Sequence, residues 1–409
     1  MSPEFKKLLI ARFLAVFGTQ IQAIVLGWQM YALTKDPLYL GLVGLAEAIP
    51  ALGLAMYAGY VIDHHNPLTV FRGMLALSFL SACVLLGSQL EASGLAHNLQ
   101  VTALFCSSVL TGSARAFAQP SIYSIVPKLI ERGSLSRASA WMATNYQVSS
   151  ISGPAMGGIL YASIGIIGSA MTVCVILFAA IVCSLFLRLP EGEGERKKAE
   201  VPFFEGLLSG AKFVFAHPIL LPALSLDMIS VLFGGVTALL PIYAADILFI
   251  GPTGLGALRA APAAGAALTS YFLTKFDIRR RAGRSLIFAV FGFGVCIIIF
   301  AVSKSFVLSL AVLALSGAFD SISVVVRSSA VQLSSPDAMR GRISAVNSMF
   351  IGSSNELGEF ESGLVARFFG AVPAALVGGV ACLATVGLIA LLSPTLRKLD
   401  LTELEAQKI

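Results

Sequence analysis

Several ionisable side chains lie inside long apolar runs: Glu47, Arg115, Asp227, Arg259, Asp320, Arg327, Glu356, Glu359 and Glu361. A charge surrounded by hydrocarbon costs at least about a few kcal/mol unless it is paired or faces a cavity. A carboxylate in such a place is suited to trading a proton, because burial disfavours its charged form and a change of surroundings reverses that preference. Glu47, Asp227, Asp320, Glu356 and Glu359 are therefore candidates for proton coupling, and Arg115, Arg259 and Arg327 for charged groups in a cavity or interface. Glu356 and Glu359 are three residues apart, on one helical face, whereas Glu361 points elsewhere. Plainer roles exist for two of them: Glu47 as a cap or latch at a span end, and Arg327 as a snorkelling side chain. The first apolar run holds only Gln20 and Gln22 at depth, which moves the expected proton site to the second half of the chain, to Glu356 and Glu359 above all.

Elements that can hold such charges must be membrane helices. The 409 residues are 57% hydrophobic and 12% charged, with a mean hydropathy of +0.86. A soluble domain carries about 25% charged residues, so this chain cannot cover its surface in water. The 38 glycines suit close helix packing in lipid. Spans need about 20 apolar residues, and turn signals place twelve: 8–33, 38–62, 68–90, 100–126, 136–163 and 166–188, then 219–245, 252–274, 284–303, 306–333, 343–368 and 372–394. The expected organisation is a six-helix half at 1–188, a cytoplasmic linker with a possible amphipathic helix at 189–216, a second six-helix half at 217–395 and a cytoplasmic tail at 396–409. Lys and Arg concentrate in the even-numbered loops and both tails, which predicts cytoplasmic termini. This placement accounts for the net charge of +6 without nucleic acid. The six cysteines stand singly in apolar runs and read as packing residues, so no metal site is expected.

The halves are related. At an offset of 205 positions, Gly112 falls on Gly317, Arg137 on Arg342, Gly153 on Gly358, Gly158 on Gly363 and Gly165 on Gly370. The same offset sets Arg115 on Asp320, and an offset of 212 sets Glu47 on Arg259, so equivalent positions carry opposite charges. Such pairs are candidates for attraction across an interface in one state and separation in another. Two repeated helical halves are a common way to build alternating access around a central site.

Three local patterns carry a family resemblance. The loop after span 2 reads Gly59-Tyr60-Val61-Ile62-Asp63-His64-His65-Asn66-Pro67, with Arg72 further on, and Asp277 to Arg284 stands at the matching place in the second half. Span 5 carries Gly153-Pro154-x-x-Gly157-Gly158. The third pattern runs from Arg327 through Pro336-Asp337-Ala338-Met339-Arg340-Gly341-Arg342 to Gly363. Together they resemble the major facilitator superfamily over essentially the whole chain, and within it the branch of enterobactin-exporter-like and macrolide-efflux-like proteins. The resemblance implies an all-α fold of twelve transmembrane helices in two pseudo-symmetric halves, working as a monomer. Asp63 and Arg72 match a loop that latches the cytoplasmic side, although His64 and Asn66 stand where the family has Arg and Gly. The Gly-Pro-x-x-Gly-Gly pattern goes with exporters that exchange cargo for protons.

The implied activity is export of an amphiphilic small molecule, siderophore-like or drug-like, across the cytoplasmic membrane by proton antiport. The proton gradient is then the energy source and no cofactor is needed. Gln22, Trp28, Asn145, Asn347 and Asn355 are the candidate lining residues, since apolar walls with a few polar anchors suit such cargo. A divalent cation exporter using the acids of span 11, or a lysolipid flippase, is the alternative. The sequence has no phosphate-binding Gly-Lys loop and no nucleophile–base constellation, which argues against an enzyme or an ATP-driven pump.

Overall fold

The computed structural model describes residues 2–90, 97–189, 203–275, 278–336 and 339–406. The acidic and basic run from Glu191 to Lys198 and the residues Asp277 and Asp337 lie outside them. The helices are α1 (Pro3–Thr34), α2 (Pro37–Gly53), α3 (Ala55–His64), α4 (Pro67–Leu90), α5 (His97–Leu129), α6 (Leu135–Leu185), α7 (Phe203–Ala216) and α8 (Leu220–Gly234). They continue with the single turn α9 (Leu240–Ile242), then α10 (Gly251–Leu273), α11 (Ala282–Val302), α12 (Phe306–Ser334), α13 (Arg340–Phe369) and α14 (Ala371–Leu392). Two short helices, α15 (Pro394–Arg397) and α16 (Leu401–Ala406), follow. No strand occurs among the described residues.

Local sequence explains the boundaries. Three helices start on a capping side chain followed by proline, whose missing N–H is harmless in the first turn. Ser2 Oγ accepts from Phe5 N at 3.2 Å, Asp36 Oδ1 from Leu38 N at 2.9 Å and Asn66 Oδ1 from Leu68 N at 2.9 Å. Eight helical stretches among the described residues are long and apolar enough to cross a membrane, or nine if α2 and α3, bent by 46° beyond Pro50, form one span. Helix α6, 51 residues long, is two spans bent at Gly165, where φ is 68°. Gly370, its repeat counterpart, has φ 91° and parts α13 from α14. A left-handed backbone at both points admits glycine at little cost, so the repeat is one of conformation as well as of sequence. With α10 and α13, which are richer in Gly, Ala and polar residues, the arrangement is consistent with twelve spans.

The seventh span differs from the expected continuous helix. Helix α8 stops at Gly234, and the chain goes on through a 3-10 turn at Thr237–Leu239, α9 and a π-helical turn at Tyr243–Ile247. Helix interruptions are tolerated at membrane depth where freed backbone groups find partners. Ser362 Oγ supplies one, donating to Gly235 O at 3.0 Å.

The chain divides into two compact units: the described residues up to 189 with Pro241–Ala260, and those of 203–240 with Ala261 onward. The first is centred on an apolar cluster that includes Phe5, Leu8, Phe71, Leu75, Ile125 and Met142. The second has one cluster around Leu226, Leu286, Val326 and Val386, and another where Val214 of α7 meets Leu224, Val331 and Ile343. The expected amphipathic segment is therefore a helix with one face packed, while Leu208 and Phe215 stay exposed.

Candidate functional site: charges and glycine crossings inside the two units

In the second unit, Asp320, Ser323 and Arg327 recur at helical spacing along one face of α12. Facing them, α8 presents Asp227 and Ser230, both buried. Arg327 Nη1 forms an ion pair with Asp227 Oδ2, the side chains being 3% and 5% exposed. Ser323 Oγ donates to Asp227 Oδ1 at 3.2 Å, while Arg327 Nε is buried with no partner among the described residues. Beside the pair lies a cavity of about 10 Å³, lined by Asp227, Ser230, Val290, Phe293, Asp320 and Ser323. That is about the room one water needs. Asp320, partly buried, has neither a cation nor a hydrogen-bond donor among the described residues. The cluster thus holds one guanidinium and two carboxylates, one paired and one not. Arg327 does not snorkel: its charge is held inside the unit.

In the first unit, Arg115 Nη1 donates to Glu47 Oε1 at 2.8 Å, with the side chains 45% and 26% exposed. The two helices cross at Gly112, where a Cβ would sit 2.0 Å from Glu47 O. Arg115, one turn along α5, is thereby set against Glu47. Two charges expected to act through their repeat counterparts therefore meet within one half. Arg259 is partly buried on α10 and pairs with no carboxylate among the described residues.

The glycine motif of α6 is a packing device. A Cβ at Gly153 would lie 2.6 Å from Gln20 Cβ, and one at Gly157 3.1 Å from Ile24 Cβ. Gly158 crosses Gly256 of α10 with backbone on backbone: a Cβ at Gly158 would meet Pro252 O at 2.4 Å, and one at Gly256 would meet Pro154 O at 2.4 Å. A crossing this close excludes every side chain, alanine included. Nearby, Tyr31 OH donates to Asp246 Oδ2, and the Lys35 ammonium lies 4.9 Å from the Tyr31 ring centre. Sequence reasoning missed Asp246 because it lies at a span end, where acids are unremarkable.

Gln22 is buried and spends its amide protons on Ser81 Oγ (2.7 Å) and Ser107 Oγ (3.0 Å), tying α1 to α4 and α5. Trp28 packs edge-on to Tyr161 at 6.3 Å, and Tyr161 OH donates to Gln29 Oε1 at 2.6 Å. Asn145 Nδ2 donates to Leu9 O at 2.9 Å. Asn355 is exposed and bonds Ile351 O one turn back, at 2.9 Å, and Asn347 Oδ1 is buried with no partner among the described residues. On α13, Glu356 is buried and Glu359 partly buried. In the loop motif, Arg72 donates to Ser184 O at 2.9 Å and Leu187 O at 3.1 Å, so it caps the end of α6, while Asp63 is exposed at the end of α3.

Comparison with known proteins places this arrangement. Residues 2–408 match the family model described as transmembrane secretion effector. The enterobactin exporter EntS of Shigella boydii serotype 18 is 23% identical over 387 residues, covering 94% of this chain and 86% of that one. Escherichia coli counterparts match at the same identity and coverage. Among solved structures, an inward-facing bacterial homologue of the iron transporter ferroportin aligns over 94% of this chain and 100% of its own, with a TM-score of 0.70 at 16% identity. A POT family transporter in complex with 5-aminolevulinic acid aligns over 96% of each chain, with a TM-score of 0.74 at 11% identity. The fold is that of these transporters, and the match from end to end makes the chain a multi-pass membrane transporter of the transmembrane secretion effector family, within the major facilitator superfamily.

Proposed function

We propose that this transporter is a proton-coupled exporter of an amphiphilic organic molecule, siderophore-like or drug-like, in the cytoplasmic membrane. In this reading both termini are cytoplasmic and the protein works as a monomer by alternating access. The observation that carries the reading is the Asp227–Arg327 pair with Asp320 left over beside a one-water cavity. Asp320 lies seven residues before Arg327 on α12, about 10 Å along the axis. Helical side chains lean toward the N-terminus, so the Arg327 side chain leads back past Ser323 toward Asp320. A proton on Asp320 leaves Arg327 to Asp227, and its release gives Arg327 a second anion to serve. That exchange turns one protonation into a rearrangement of α12 against α8. The Gly-Pro-x-x-Gly-Gly motif and the enterobactin exporters among the relatives support export and an organic cargo. Glu356 and Glu359 stand as the second candidate site on α13.

Everted membrane vesicles holding an energised pH gradient test the reading. They are challenged with siderophores, lipophilic drugs, divalent metal ions and lysolipids, and protein-dependent collapse of the gradient is recorded. The expected result is collapse by an organic amphiphile, lost in Asp320→Asn. Collapse that survives in Asp320→Asn but is lost in Glu356→Gln, Glu359→Gln moves the proton site to α13. Collapse by metal ions alone overturns the choice of cargo.

A further inference from the structure

The first unit contains a buried cation that the exchange above does not use. Arg12, in the third turn of α1, is 7% exposed. Its Nη1 donates to Met142 O of α6 at 3.1 Å. No carboxylate among the described residues lies within ion-pair distance of it, and no aromatic ring among them stacks on it. A structural peg between α1 and α6 explains that one bond. It leaves the charge and most of the five guanidinium donors without a protein partner among the described residues, where Arg72 by contrast spends its donors on the carbonyls that end α6. Two phenols stand in the neighbourhood of the Arg12 guanidinium, Tyr123 of α5 and Tyr146 of α6, one turn beyond Met142, and both are exposed. Trp141, next to Met142, is exposed as well. An orphan acceptor lies on the same seam: Asn145 holds Leu9 O through Nδ2, while its Oδ1 is buried with no partner among the described residues.

We propose that Arg12 binds the anionic end of an aromatic cargo, with Tyr123, Tyr146 and Trp141 flanking its ring and Asn145 Oδ1 accepting from a hydroxyl it carries. The proposal rests on the exporter reading and deepens it, by giving the cargo a charge and a ring. A charge-assisted, bidentate bond to a carboxylate is the strong interaction a guanidinium offers, and flat rings suit exposed aromatic side chains.

The test is binding to the purified full chain in neutral detergent with no gradient. Trp28→Phe makes Trp141 the sole tryptophan reporter. The probes are 4-nitrobenzoate, 4-nitrobenzamide and 4-nitrobenzylammonium, quenchers that share a ring and differ in charge. The expected result is saturable quenching by the benzoate, at least about tenfold tighter than by the other two. Arg12→Gln removes that preference, and Arg12→Lys keeps part of it. Equal affinity for the three probes, or no saturable quenching, overturns the proposal without any Arg12 variant having to fold. Displacement of the benzoate by phosphatidylglycerol, but not by phosphatidylcholine, in the micelles also overturns it, because the anion is then a lipid headgroup. Because no gradient is present, a failure here leaves proton-coupled export standing, and a failure of coupling in vesicles leaves this site standing.

Discussion

The Glu47–Arg115 pair and the Asp227–Arg327 pair are both acid–guanidinium contacts between neighbouring helices, yet they sit in opposite surroundings. The first is 26% and 45% exposed and stands beside a tight glycine crossing. The second is 5% and 3% exposed, is backed by Ser323 and has a further carboxylate, Asp320, next to it. An accessible pair is worth less than an enclosed one, since other groups can replace either partner. Breaking a buried pair strands a charge and costs about 3–5 kcal/mol. The open pair can therefore part and re-form as helices move, whereas the closed pair has to be answered by another charge or a proton. Under the proposed function, the second unit therefore carries the switch and the first an orienting contact.

The largest effect expected is at Asp227. Asp227→Asn strands Arg327 and lowers stability by about 3–5 kcal/mol, read as a collapse of the thermal unfolding midpoint in detergent. Adding Arg327→Met restores most of the loss, because a stranded charge costs more than a missing pair. If the double variant is no more stable than the single one, the two residues are not a coupled pair.

Next in size is the crossing of α6 and α10. Gly158→Ala places a methyl group 2.4 Å from Pro252 O, an overpacking cost of about 1–3 kcal/mol. Gly165→Ala meets no neighbouring atom but strains a backbone with φ 68°, so both variants lose stability for different reasons. Gly87→Ala, on an open face of α4, serves as the neutral comparison. A Gly158→Ala protein as stable as Gly87→Ala contradicts the packing described.

The open pair yields a smaller effect. Glu47→Arg or Arg115→Glu alone should lower stability less than Asp227→Asn does, yet slow transport by setting like charges together across the crossing. The exchanged double variant should recover transport, and recovery is the readout that an exposed pair allows and a buried one does not.

The smallest effect lies outside the spans, at the joint between α7 and α8. His217 Nδ1 accepts from Ile219 N (3.2 Å) and Leu220 N (3.3 Å), and burial lowers its pKa from the usual 6.5. The unfolded chain then binds the proton more readily than the folded one. The stabilisation is complete above about pH 6.5 and fades as pH falls below it. His217→Asn keeps a capping side chain without the titration. Between roughly pH 7 and pH 5 its unfolding midpoint should fall less than that of the wild type.

Much of the architecture is legible in the sequence because it rests on runs and periods. Apolar stretches set the spans, Ser-Pro, Asp-Pro and Asn-Pro set three helix starts, and the Gly165–Gly370 correspondence survives as matching positive φ angles. The spacing of Asp320, Ser323 and Arg327 was there to be read as one face. Which acid meets which base was not, because that depends on how each helix is rotated toward its neighbours. The offsets that set Arg115 on Asp320 and Glu47 on Arg259 hid the contact of Arg115 with Glu47. Arg12 looks like an ordinary flanking charge until α6 is packed over it. The break after Gly234 escaped because its two glycines stand in an apolar run that otherwise reads as one helix.

The most direct test of the account uses proteoliposomes containing wild type or Asp320→Asn, with a cargo identified from the vesicle panel. Two rates are compared: uphill movement driven by a pH gradient, and exchange of labelled for unlabelled cargo with no gradient. The account predicts that Asp320→Asn keeps exchange within about twofold of wild type and loses uphill movement by at least about tenfold, because a permanently neutral side chain permits the helix movements but carries no proton. Uphill movement at the wild-type rate in Asp320→Asn would contradict the claim that the second-unit charge cluster couples protons to transport.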